Sequence, residues 1–383
     1  MKNNNYSTPV LMTQQFRFCP NPFRVDMYKG CDFGCKYCFA NSNMSKGFDG
    51  FSEANFNEVR KLFQKAFASN KSSNDITIEL LQHRVPLHCG GMSDPFQTRE
   101  WSMGLTYKLI ELSNEYNYPI LFSTKTANLP EKYFDILNPD IHAFHSSIMG
   151  WSDNYIRKYE TNTPTAEERL EFGKRLREKG FWWGIRIQPL VDISEAEQLV
   201  INAGSVPNYI TVEHLKIPID NVVIRDLFKS EYQNSKFKRQ RYNLRNLETR
   251  TDVKINNVQR LQAIANKNGV LVGVGDNDLH HLSQSRCCCG VDMINDNFMN
   301  YLKYNMTYMS TGNGCTENFS DLWCPCSNCK GCFNSDTVKN KGKYVSFKEM
   351  VDDYINANDF CLPHKYRLNI QKQLFGVAQQ KLF

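Results

Sequence analysis

Apolar positions in the first 215 residues alternate between two patterns, short continuous runs and stretches with helical spacing. Short runs bounded by turn residues favour buried strands, and helical spacing between them is typical of βα units around a parallel sheet. The runs predict six strands, at Phe23–Tyr28, Val85–Cys89, Pro119–Thr124, Ile141–Ile148, Phe181–Gln188 and Tyr209–Leu215. Helical spacing fills Asn55–Ser69, Met103–Asn114, Thr165–Lys179 and Ser194–Ala203. We therefore predict an α/β fold, a partial (β/α)6 TIM-like barrel with a C-terminal cysteine-rich extension.

The pattern changes after Pro218. Residues 229–254 carry eight Lys or Arg against three Asp or Glu, with Phe237 and Tyr242 interleaved. A further helix is predicted at Asn256–Lys267, and the run Gly269–Gly275 predicts a seventh strand. The predicted organisation is a barrel at residues 1–220, a basic helical segment with the seventh strand at residues 221–275, and a cysteine-rich extension at residues 276–383.

Charge and composition indicate the cellular compartment of the protein and the kinds of partner that it can bind. The formal net charge of +6 permits a polyanionic partner without requiring one. The N-terminus has no apolar leader, and no apolar run approaches the roughly 18 residues of a membrane span. We therefore expect a cytoplasmic protein with no membrane partner. In that reducing compartment the 14 cysteines favour metal binding over disulfides.

A cysteine triplet follows the first predicted strand. Cys31, Cys35 and Cys38 have the spacing C-x3-C-x2-C. Three thiolates can bind three irons of a [4Fe–4S] cluster and leave the fourth iron open to a small-molecule ligand. Zinc sites are built from C-x2-C pairs with a second pair elsewhere, which this triplet does not match. The triplet therefore predicts a [4Fe–4S] cluster with one open iron.

The triplet, with Tyr37 and Phe39 on either side of its third cysteine, resembles the signature of the radical S-adenosylmethionine (SAM) superfamily. Other elements resemble its photolyase-like branch, the group that includes spore photoproduct lyase. They are Ser93-Asp94-Pro95-Phe96-Gln97 with Glu100, Ser123-Thr124-Lys125-Thr126, and Glu160, Pro164, Glu168-Arg169-Leu170, Gly180 and Arg186-Ile187-Gln188-Pro189. The resemblance covers roughly residues 20–220. It implies that a reduced cluster splits SAM into methionine and a 5′-deoxyadenosyl radical, which removes a hydrogen atom from a substrate.

The resemblance also implies which residues hold the cofactors. Cys31, Cys35 and Cys38 would ligate the cluster, and Tyr37 would meet the adenine of SAM. The implied SAM contacts are Tyr37, Gly90, Gly91, Ser93, Lys125, Ser146, Arg186 and Gln188. Gly90 and Gly91 would let the backbone approach the SAM amino group, because glycine has no Cβ.

Several of these contacts have a second interpretation from the residues alone. Ser93 could cap the turn that follows it, since Ser-Asp-Pro favours turns. Lys125 at a strand end could be a surface charge. Arg186 and Gln188 alternate on one face of a strand and so both can point into the barrel, but Arg186 could instead pair with a structural acid such as Glu160.

The chain departs from the lyase at the position of its hydrogen-donating cysteine, where this sequence has Gly91. Cys89, two residues earlier, is the candidate radical-quenching thiol if the strand alternates through this point. A small buried side chain in a barrel strand is the alternative for Cys89. Further catalytic candidates are Glu213, which we expect to face inward, with His214 as a structural histidine, and Asp276 and Asp278, which follow the seventh strand. The two aspartates could bind substrate, transfer protons or cap a turn.

A second group of cysteines lies near the C-terminus, at Cys287–Cys289, Cys315, Cys324, Cys326, Cys329 and Cys332. This spacing predicts an auxiliary metal site, a second [4Fe–4S] cluster or, as the alternative, zinc. The best candidates for ligands are Cys326, Cys329 and Cys332, with a fourth from Cys289, Cys315 or Cys324. Two metal sites are also compatible with the number of cysteines.

Together these features predict a radical SAM enzyme. The basic segment and its aromatics favour a nucleobase or nucleic acid as substrate, because cationic and aromatic side chains suit phosphates and bases. The alternatives are a radical SAM enzyme that modifies a peptide or small metabolite, and a non-enzymatic iron–sulfur or zinc protein that binds nucleic acid. An enzyme of this class also implies a reducing partner such as flavodoxin or ferredoxin.

Overall fold

The computed structural model describes residues 6, 9–12, 21, 23–38, 40, 51–68, 76–218, 221–231, 237–240, 243–276, 279, 282–285 and 288–300. Several predicted site residues lie outside the described residues: Asp278, Cys315, Cys324, Cys326, Cys329 and Cys332. Within the described ranges, no helix is both long enough and apolar enough to cross a membrane.

The elements of the described chain are numbered in sequence order. The strands are β1 (Val10–Met12), β2 (Phe23–Val25), β3 (Tyr28–Lys29), β4 (Ser52–Glu53), β5 (Leu87–Cys89), β6 (Ile120–Thr124), β7 (His142–Ser147), β8 (Trp183–Leu190), β9 (Tyr209–His214), β10 (Lys216–Pro218), β11 (Phe237–Gln240), β12 (Asn243–Thr249) and β13 (Leu271–Val274). The helices are α1 (Phe56–Phe67), α2 (Ile76–Gln82), α3 (Glu100–Met103), α4 (Leu105–Tyr116), α5 (Glu131–Phe134), α6 (Asp153–Tyr159), α7 (Ala166–Glu178), α8 (Ile193–Ala203), α9 (Val222–Leu227), α10 (Lys229–Glu231) and α11 (Thr251–Lys267).

Eight strands form one sheet in the order β1-β2-β5-β6-β7-β8-β9-β13. Strands β2 to β13 of this sheet are parallel, and β1 joins β2 in the antiparallel direction. Because β1 and β13 are its two edges, the sheet is an open, partial barrel, which confirms the predicted fold class. The predicted seventh strand is confirmed as well, since β13 pairs with β9 from Leu271 opposite Tyr209 to Val274 opposite Val212.

Helix ends follow local capping chemistry. Asn55 precedes α1 and accepts a hydrogen bond from the backbone N–H of Asn57 at 3.2 Å. Thr165 and Glu168 form a reciprocal capping box at the start of α7. These caps place α1 and α7 within a few residues of the predicted helices, and α7 buries Phe172 against the sheet.

The two faces of the sheet differ in chemistry, because residues in register on parallel strands point to the same side. Trp183 lies against Gly173 of α7, where an added Cβ would overlap the indole ring. Phe144 is in register with Trp183 and packs edge-on against Phe172 of the same helix. This row, the outward row, therefore faces the helices, and the row that alternates with it is the inward row. The residues of the inward row face the barrel interior and include Arg24, His88, His145, Arg186 and Thr211.

The basic segment between the sixth and seventh parallel strands differs from the prediction of a helical segment. It contains a three-stranded antiparallel sheet in the order β10-β12-β11, with Ile217 opposite Leu247. Helix α11 follows this sheet and begins at Thr251, five residues before the predicted start. Because β13 then returns to the main sheet, residues 221–270 are an insertion between two barrel strands, and the boundary predicted at residue 220 does not mark the end of the barrel.

After β13 the chain folds back onto the barrel as the return segment, residues 282–285 and 288–290. The backbone N–H of Val274 donates to Ser283 Oγ at 2.9 Å, and the N–H of Gln284 donates to the Val272 carbonyl at 3.1 Å. Further along, Thr211 Oγ1 donates to the Cys288 carbonyl at 2.6 Å. A Cβ on Gly273 would overlap that carbonyl. The return segment therefore reaches the inward faces of β9 and β13.

Candidate active site

The cysteine loop, residues 30–38, is held from two sides. The Gln97 amide donates to the Gly30 carbonyl at 3.3 Å and accepts from the Asp32 backbone N–H at 3.2 Å. From the opposite side, Asn162 Nδ2 donates to the Asp32 carbonyl at 2.9 Å. Gln97 follows β5 and Asn162 precedes α7, so two separate parts of the barrel fix the loop. Gln97 belongs to the Ser93–Gln97 element that resembles the photolyase-like branch.

The three thiols of the loop are partly exposed. Burial raises the pKa of Cys31 above its usual range and that of Cys35 to about 12, so iron binding must displace thiol protons. Cys35 acts on the pKa of Cys31, and Cys38 acts on that of Cys35, which places the three side chains near one another. Among the described residues, no three metal-ligating side chains surround a single ion position. A [4Fe–4S] cluster does not need such a position, because each cysteine binds a different iron, and the donor set fits it.

Glu160 is the centre of a charged network beside the loop. Its Oε1 lies 2.6 Å from Lys125 Nζ, and its Oε2 lies 2.7 Å from Arg169 Nη2. Thr163 Oγ1 donates to the same carboxylate at 2.9 Å. Burial opposes ionisation of Glu160, but Lys125 and Arg169 together hold its pKa well below the usual range. The backbone of Glu160 also forms a β-bridge with Cys35, so the network is attached directly to the cysteine loop.

Two predicted SAM contacts belong to this network. The Tyr37 hydroxyl donates to Glu160 and accepts from Lys125 Nζ at 2.9 Å. Lys125 also lies 5.5 Å from the centre of the Tyr37 ring. Lys125 is thus held at the loop by an acid and a ring, which does not fit a loose surface charge. Arg186 does not pair with Glu160, since Arg169 takes that position, so the alternative interpretation of Arg186 is wrong.

Asp94 organises the loop after β5 and is not among the predicted site residues. Thr124 Oγ1 donates to its carboxylate at 2.7 Å, and the backbone N–H groups of Lys125 and Phe96 donate at 2.6 and 2.9 Å. Burial raises the pKa of Asp94 to about 6 in spite of these donors. Its place in the Ser93–Gln97 element was the available signal. Asp94 sets the position of the Lys125 backbone, and so of the Glu160 network.

The neighbouring SAM candidates are placed as follows. Gly90 has φ +111°, and a Cβ there would overlap the Ser123 carbonyl, so the position requires glycine. A Cβ on Gly91 would lie 3.5 Å from Arg24 Cδ, an ordinary contact on the inward side. Ser93 is buried, and its hydroxyl donates to the Tyr28 carbonyl at 2.7 Å. That bond fixes the loop to β3 and leaves only the oxygen lone pairs of Ser93 for a ligand.

Two predicted site residues face the helices and not the barrel interior. Ser146 accepts a hydrogen bond from Trp183 Nε1 at 2.9 Å and is fully buried in the outward row, so it is displaced from the predicted SAM site. Cys89 is in register with Phe122 in the same row and is 1% exposed. Burial raises its pKa well above the usual range. The structure therefore supports the alternative for Cys89, a small buried core side chain, and contradicts its predicted role as the quenching thiol.

A chain of polar side chains lines the interior at the carboxyl ends of β8 and β9. Arg186 Nε donates to Gln188 Oε1, and Gln188 Nε2 donates to Glu213 Oε2 at 2.6 Å. Glu213 also forms an ion pair of 2.6 Å with Lys216. All four residues are partly exposed. The predicted inward residues Arg186, Gln188 and Glu213 therefore share one hydrogen-bonded row, which we call the interior row together with Lys216.

Asp276 is placed differently from the prediction of a catalytic group at the barrel mouth. It is fully buried, and its Oδ2 lies 2.6 Å from His214 Nδ1 while Lys254 Nζ lies 3.6 Å from its Oδ1. Burial opposes ionisation, but His214 and Lys254 hold the pKa of Asp276 well below its usual range. Asn257 contacts the other ring nitrogen of His214 at 3.2 Å. Asp276 Oδ1 makes no hydrogen bond among the described residues, but the side chains of Asp276, His214 and Lys254 are all buried, which does not fit a catalytic group at the barrel mouth and supports the structural role of His214.

Cys289, a candidate auxiliary ligand, is 8% exposed and lies within the main core cluster. The other candidate ligands lie outside the described residues, so the auxiliary metal site stays a prediction.

Comparison with known proteins gives a structural likeness. No protein-family model matches the chain, and no curated protein sequence matches it. Spore photoproduct lyase complexed with dinucleoside spore photoproduct superposes with a TM-score of 0.52 at 16% identity, over 68% of this chain and 79% of the lyase. A cysteine-to-alanine variant of that lyase with the same dinucleoside gives a TM-score of 0.52 at 15% identity, with the same coverage. SuiB of Streptococcus suis bound to precursor peptide SuiA is more distant, with a TM-score of 0.36 at 14% identity over 56% of this chain and 41% of SuiB.

The likeness to the lyase confirms the fold that the sequence motifs predicted. The chain has the partial-barrel fold of spore photoproduct lyase, with the cysteine loop after its first parallel strand.

Proposed function

We propose that this chain is a cytoplasmic radical SAM enzyme in which Cys31, Cys35 and Cys38 hold a [4Fe–4S] cluster and SAM binds at its open iron. When bound, the cluster supplies the electron that cleaves SAM into methionine and a 5′-deoxyadenosyl radical. The observation that carries the proposal is the network of Lys125, Glu160 and Arg169 attached to the cysteine loop at the carboxyl ends of the parallel strands. In barrels of this kind chemistry is located at that edge.

The charge of this network suits the methionine end of SAM. Glu160 carries one negative charge between two cations, so the network retains a net positive charge. Arg169 is fully buried, whereas the Lys125 side chain is 15% exposed and is the cation that a bound carboxylate can reach. A desolvated carboxylate needs charged donors of this kind. Lys125 therefore binds the carboxylate, while Glu160 and Arg169 hold Lys125 in place.

The interior row supplies the next set of contacts. Arg186 points inward beside Gln188 and has no carboxylate partner among the described residues. Glu213, the acid of the row, is already neutralised by Lys216 at 2.6 Å. An anionic or strongly polar part of a bound molecule is favoured next to such an arginine.

We further propose that the substrate is a nucleobase or a nucleic acid. The inward arginine and the basic insertion provide positive charge for phosphates, and the lyase of similar fold has been captured with a dinucleoside. Flavodoxin or ferredoxin is the proposed electron donor. The cysteine-rich extension is the proposed site of a second [4Fe–4S] cluster.

Anaerobic reconstitution with iron and sulfide, followed by dithionite and SAM, tests the core of the proposal. We expect 5′-deoxyadenosine and methionine in equal amounts, measured by liquid chromatography and mass spectrometry. Cys38→Ala should abolish both, and Cys89→Ala, a matched change in the outward row, should leave them unchanged. A fully reconstituted wild-type protein that forms no 5′-deoxyadenosine would refute the proposed enzymatic activity.

The substrate class is tested separately, by binding of short fluorescent single-stranded and duplex DNA at several salt concentrations. We expect affinity to fall steeply as salt rises, because phosphate contacts release counterions. If SAM is cleaved but nucleic acid does not bind even at low salt, the nucleic-acid substrate is excluded and the peptide or small-metabolite alternative is favoured.

A further inference from the structure

A thiol readily quenches a carbon radical in a barrel, because its S–H bond is weaker than the aliphatic C–H bond that forms. Position 91 of this chain is glycine, and Cys89 lies in the outward row against the helices. The thiols of the cysteine loop belong to the proposed cluster. Among the described residues, this leaves the return segment as the source of a thiol for the barrel interior.

Cys288 is placed in the interior by its own backbone. Its carbonyl accepts a hydrogen bond from Thr211 Oγ1 at 2.6 Å, and Thr211 is in register with the inward residue Arg186. The same carbonyl lies over Gly273 of β13, where a side chain would exclude it. The inward faces of two adjacent strands therefore hold the Cys288 backbone, and glycine at position 273 makes room for it.

Cys288 lies beside the polar interior row, because its backbone is held on the inward faces of β9 and β13. The residue is partly exposed, unlike Cys89, and Cys289, Arg186 and Glu213 all act on the pKa of its thiol. Arg186 and Glu213 point into the interior, as their hydrogen bonds in the interior row show. Cys288 thus lies next to the space where the carboxyl ends of β8 and β9 meet.

A second residue indicates that this part of the interior is built to face a ligand. His145 is fully buried in the inward row, next to the Cys289 backbone. Neither of its ring nitrogens makes a hydrogen bond of normal geometry. A buried imidazole without such a partner costs free energy unless a bound group or water completes it. His145, Arg186 and the Cys288 thiol therefore border one polar space.

We propose that Cys288 is the hydrogen-atom donor of the barrel interior. This inference rests on the proposed radical SAM function. The S–H bond of Cys288 breaks and a C–H bond forms at the radical carbon, which leaves a thiyl radical on Cys288. One electron from the reductant that also reduces the cluster, a low-potential donor of the flavodoxin or dithionite class, and one proton from solvent restore the thiol.

The test requires no knowledge of the substrate. In deuterium oxide the Cys288 thiol exchanges to S–D, whereas the carbon-bound hydrogens of SAM do not exchange. Incubation of the reconstituted protein with dithionite and SAM alone should then give 5′-deoxyadenosine that carries one deuterium at the 5′ carbon. The deuterium arises because the deoxyadenosyl radical, without a substrate, is quenched by the thiol in the interior. Mass spectrometry measures the deuterated fraction and the total amount separately.

Cys288→Ala and Cys288→Ser should lose most of the deuterated fraction and still form 5′-deoxyadenosine, since both lack an S–H bond. Cys89→Ala, the matched control in the outward row, should keep the wild-type fraction. The inference is overturned if wild-type product contains no deuterium, or if the deuterated fraction survives in both Cys288 variants. If wild-type protein forms no 5′-deoxyadenosine, the proposed function itself fails. Total product in the serine variant shows that the fold is intact, so loss of label is distinguishable from loss of structure.

Discussion

Lys125 Nζ and Glu160 Oε1 lie 2.6 Å apart, with the carboxylate fully buried and the ammonium side chain 15% exposed. The two residues come from different parts of the barrel: Lys125 follows β6, and Glu160 follows α6. Glu160 also bonds Arg169 and bridges to Cys35, so one carboxylate connects the cysteine loop, a candidate SAM ligand and a helix. The position of Lys125 relative to the loop therefore depends on the ionised form of Glu160.

Replacement of that carboxylate should weaken both the fold and the binding of SAM. Glu160→Gln leaves Lys125 and Arg169 without their shared acid, and the loss of one partner from a buried pair costs about 3–5 kcal/mol of stability. We also expect the Kd for SAM to rise by about tenfold or more, equivalent to ~1.4 kcal/mol. Thermal unfolding and equilibrium SAM binding measure the two effects.

The matched control for this change is Glu171→Gln, which removes an exposed ion pair with Lys174 on α7. Exposed pairs contribute about 0–1 kcal/mol, so neither quantity should change measurably. SAM affinity that is unaltered in a folded Glu160→Gln protein would rule out the proposed positioning role.

Asp94 gives the protein a defined pH dependence. Its folded pKa is about 6, raised by burial from the model-peptide value of 3.8. Between these values the folded state binds more protons than the unfolded state, so this group's contribution to stability is complete below about pH 4 and is lost as pH rises through 6. The shift corresponds to about 3 kcal/mol.

Denaturant unfolding of wild type and Asp94→Asn at several pH values isolates this contribution. The stability advantage of wild type over the variant should shrink by about 3 kcal/mol from pH 4 to pH 7, because the amide does not titrate. A difference that stays constant across this range would show that Asp94 has an ordinary pKa.

The sequence predicted the positions of the strands better than it predicted which side chains of each strand face the interior. Short apolar runs located all seven parallel strands within a few residues, because burial on both sides of a parallel sheet leaves a local signal. The direction of Cys89 could not be carried over from position 91, since Gly90 adopts φ +111° and interrupts the alternation. Ser146 faces the helices because one residue of register decides the face of a strand. Local patterns do not encode such register.

Residues that act through long-range contacts were the hardest to find. The sequence elements contained Asp94 and Glu160, but their roles depend on partners 30 to 123 positions away in the chain, such as Thr124 and Tyr37. Cys288 gave no signal beyond its membership of a cysteine group, and its placement results from pairing with Thr211. In the same way, Asp276 follows a barrel strand as predicted, but its place in a buried group with His214 and Lys254 depends on tertiary contacts.

The predicted auxiliary site leads to a test based on iron content. If the extension holds a second [4Fe–4S] cluster, replacement of Cys31, Cys35 and Cys38 by alanine should leave about four irons per chain after reconstitution. Wild type should contain about twice that amount. The matched triple change of Cys326, Cys329 and Cys332 should lose the second cluster and retain the first. Iron and zinc are quantified together, so a zinc site appears as zinc in the first variant, and a variant without metal would exclude the auxiliary site.

The buried network around Asp276 should contribute to stability and not to SAM cleavage. Asp276→Asn removes the anion 2.6 Å from the buried His214, while Lys254 keeps Glu248 at 3.1 Å, and the loss of one partner from a buried group costs about 3–5 kcal/mol. Because its folded pKa lies below the unfolded value of 3.8, the contribution of Asp276 is present above that value and is lost as pH falls below it.

Unfolding at pH 7 should therefore show a large loss in the free energy of unfolding of the variant. Below the temperature at which it unfolds, the variant should form 5′-deoxyadenosine at the wild-type rate, since His214 and Asp276 are buried and do not belong to the Glu160 network. A folded Asp276→Asn protein with lost SAM cleavage would instead restore Asp276 to the catalytic group.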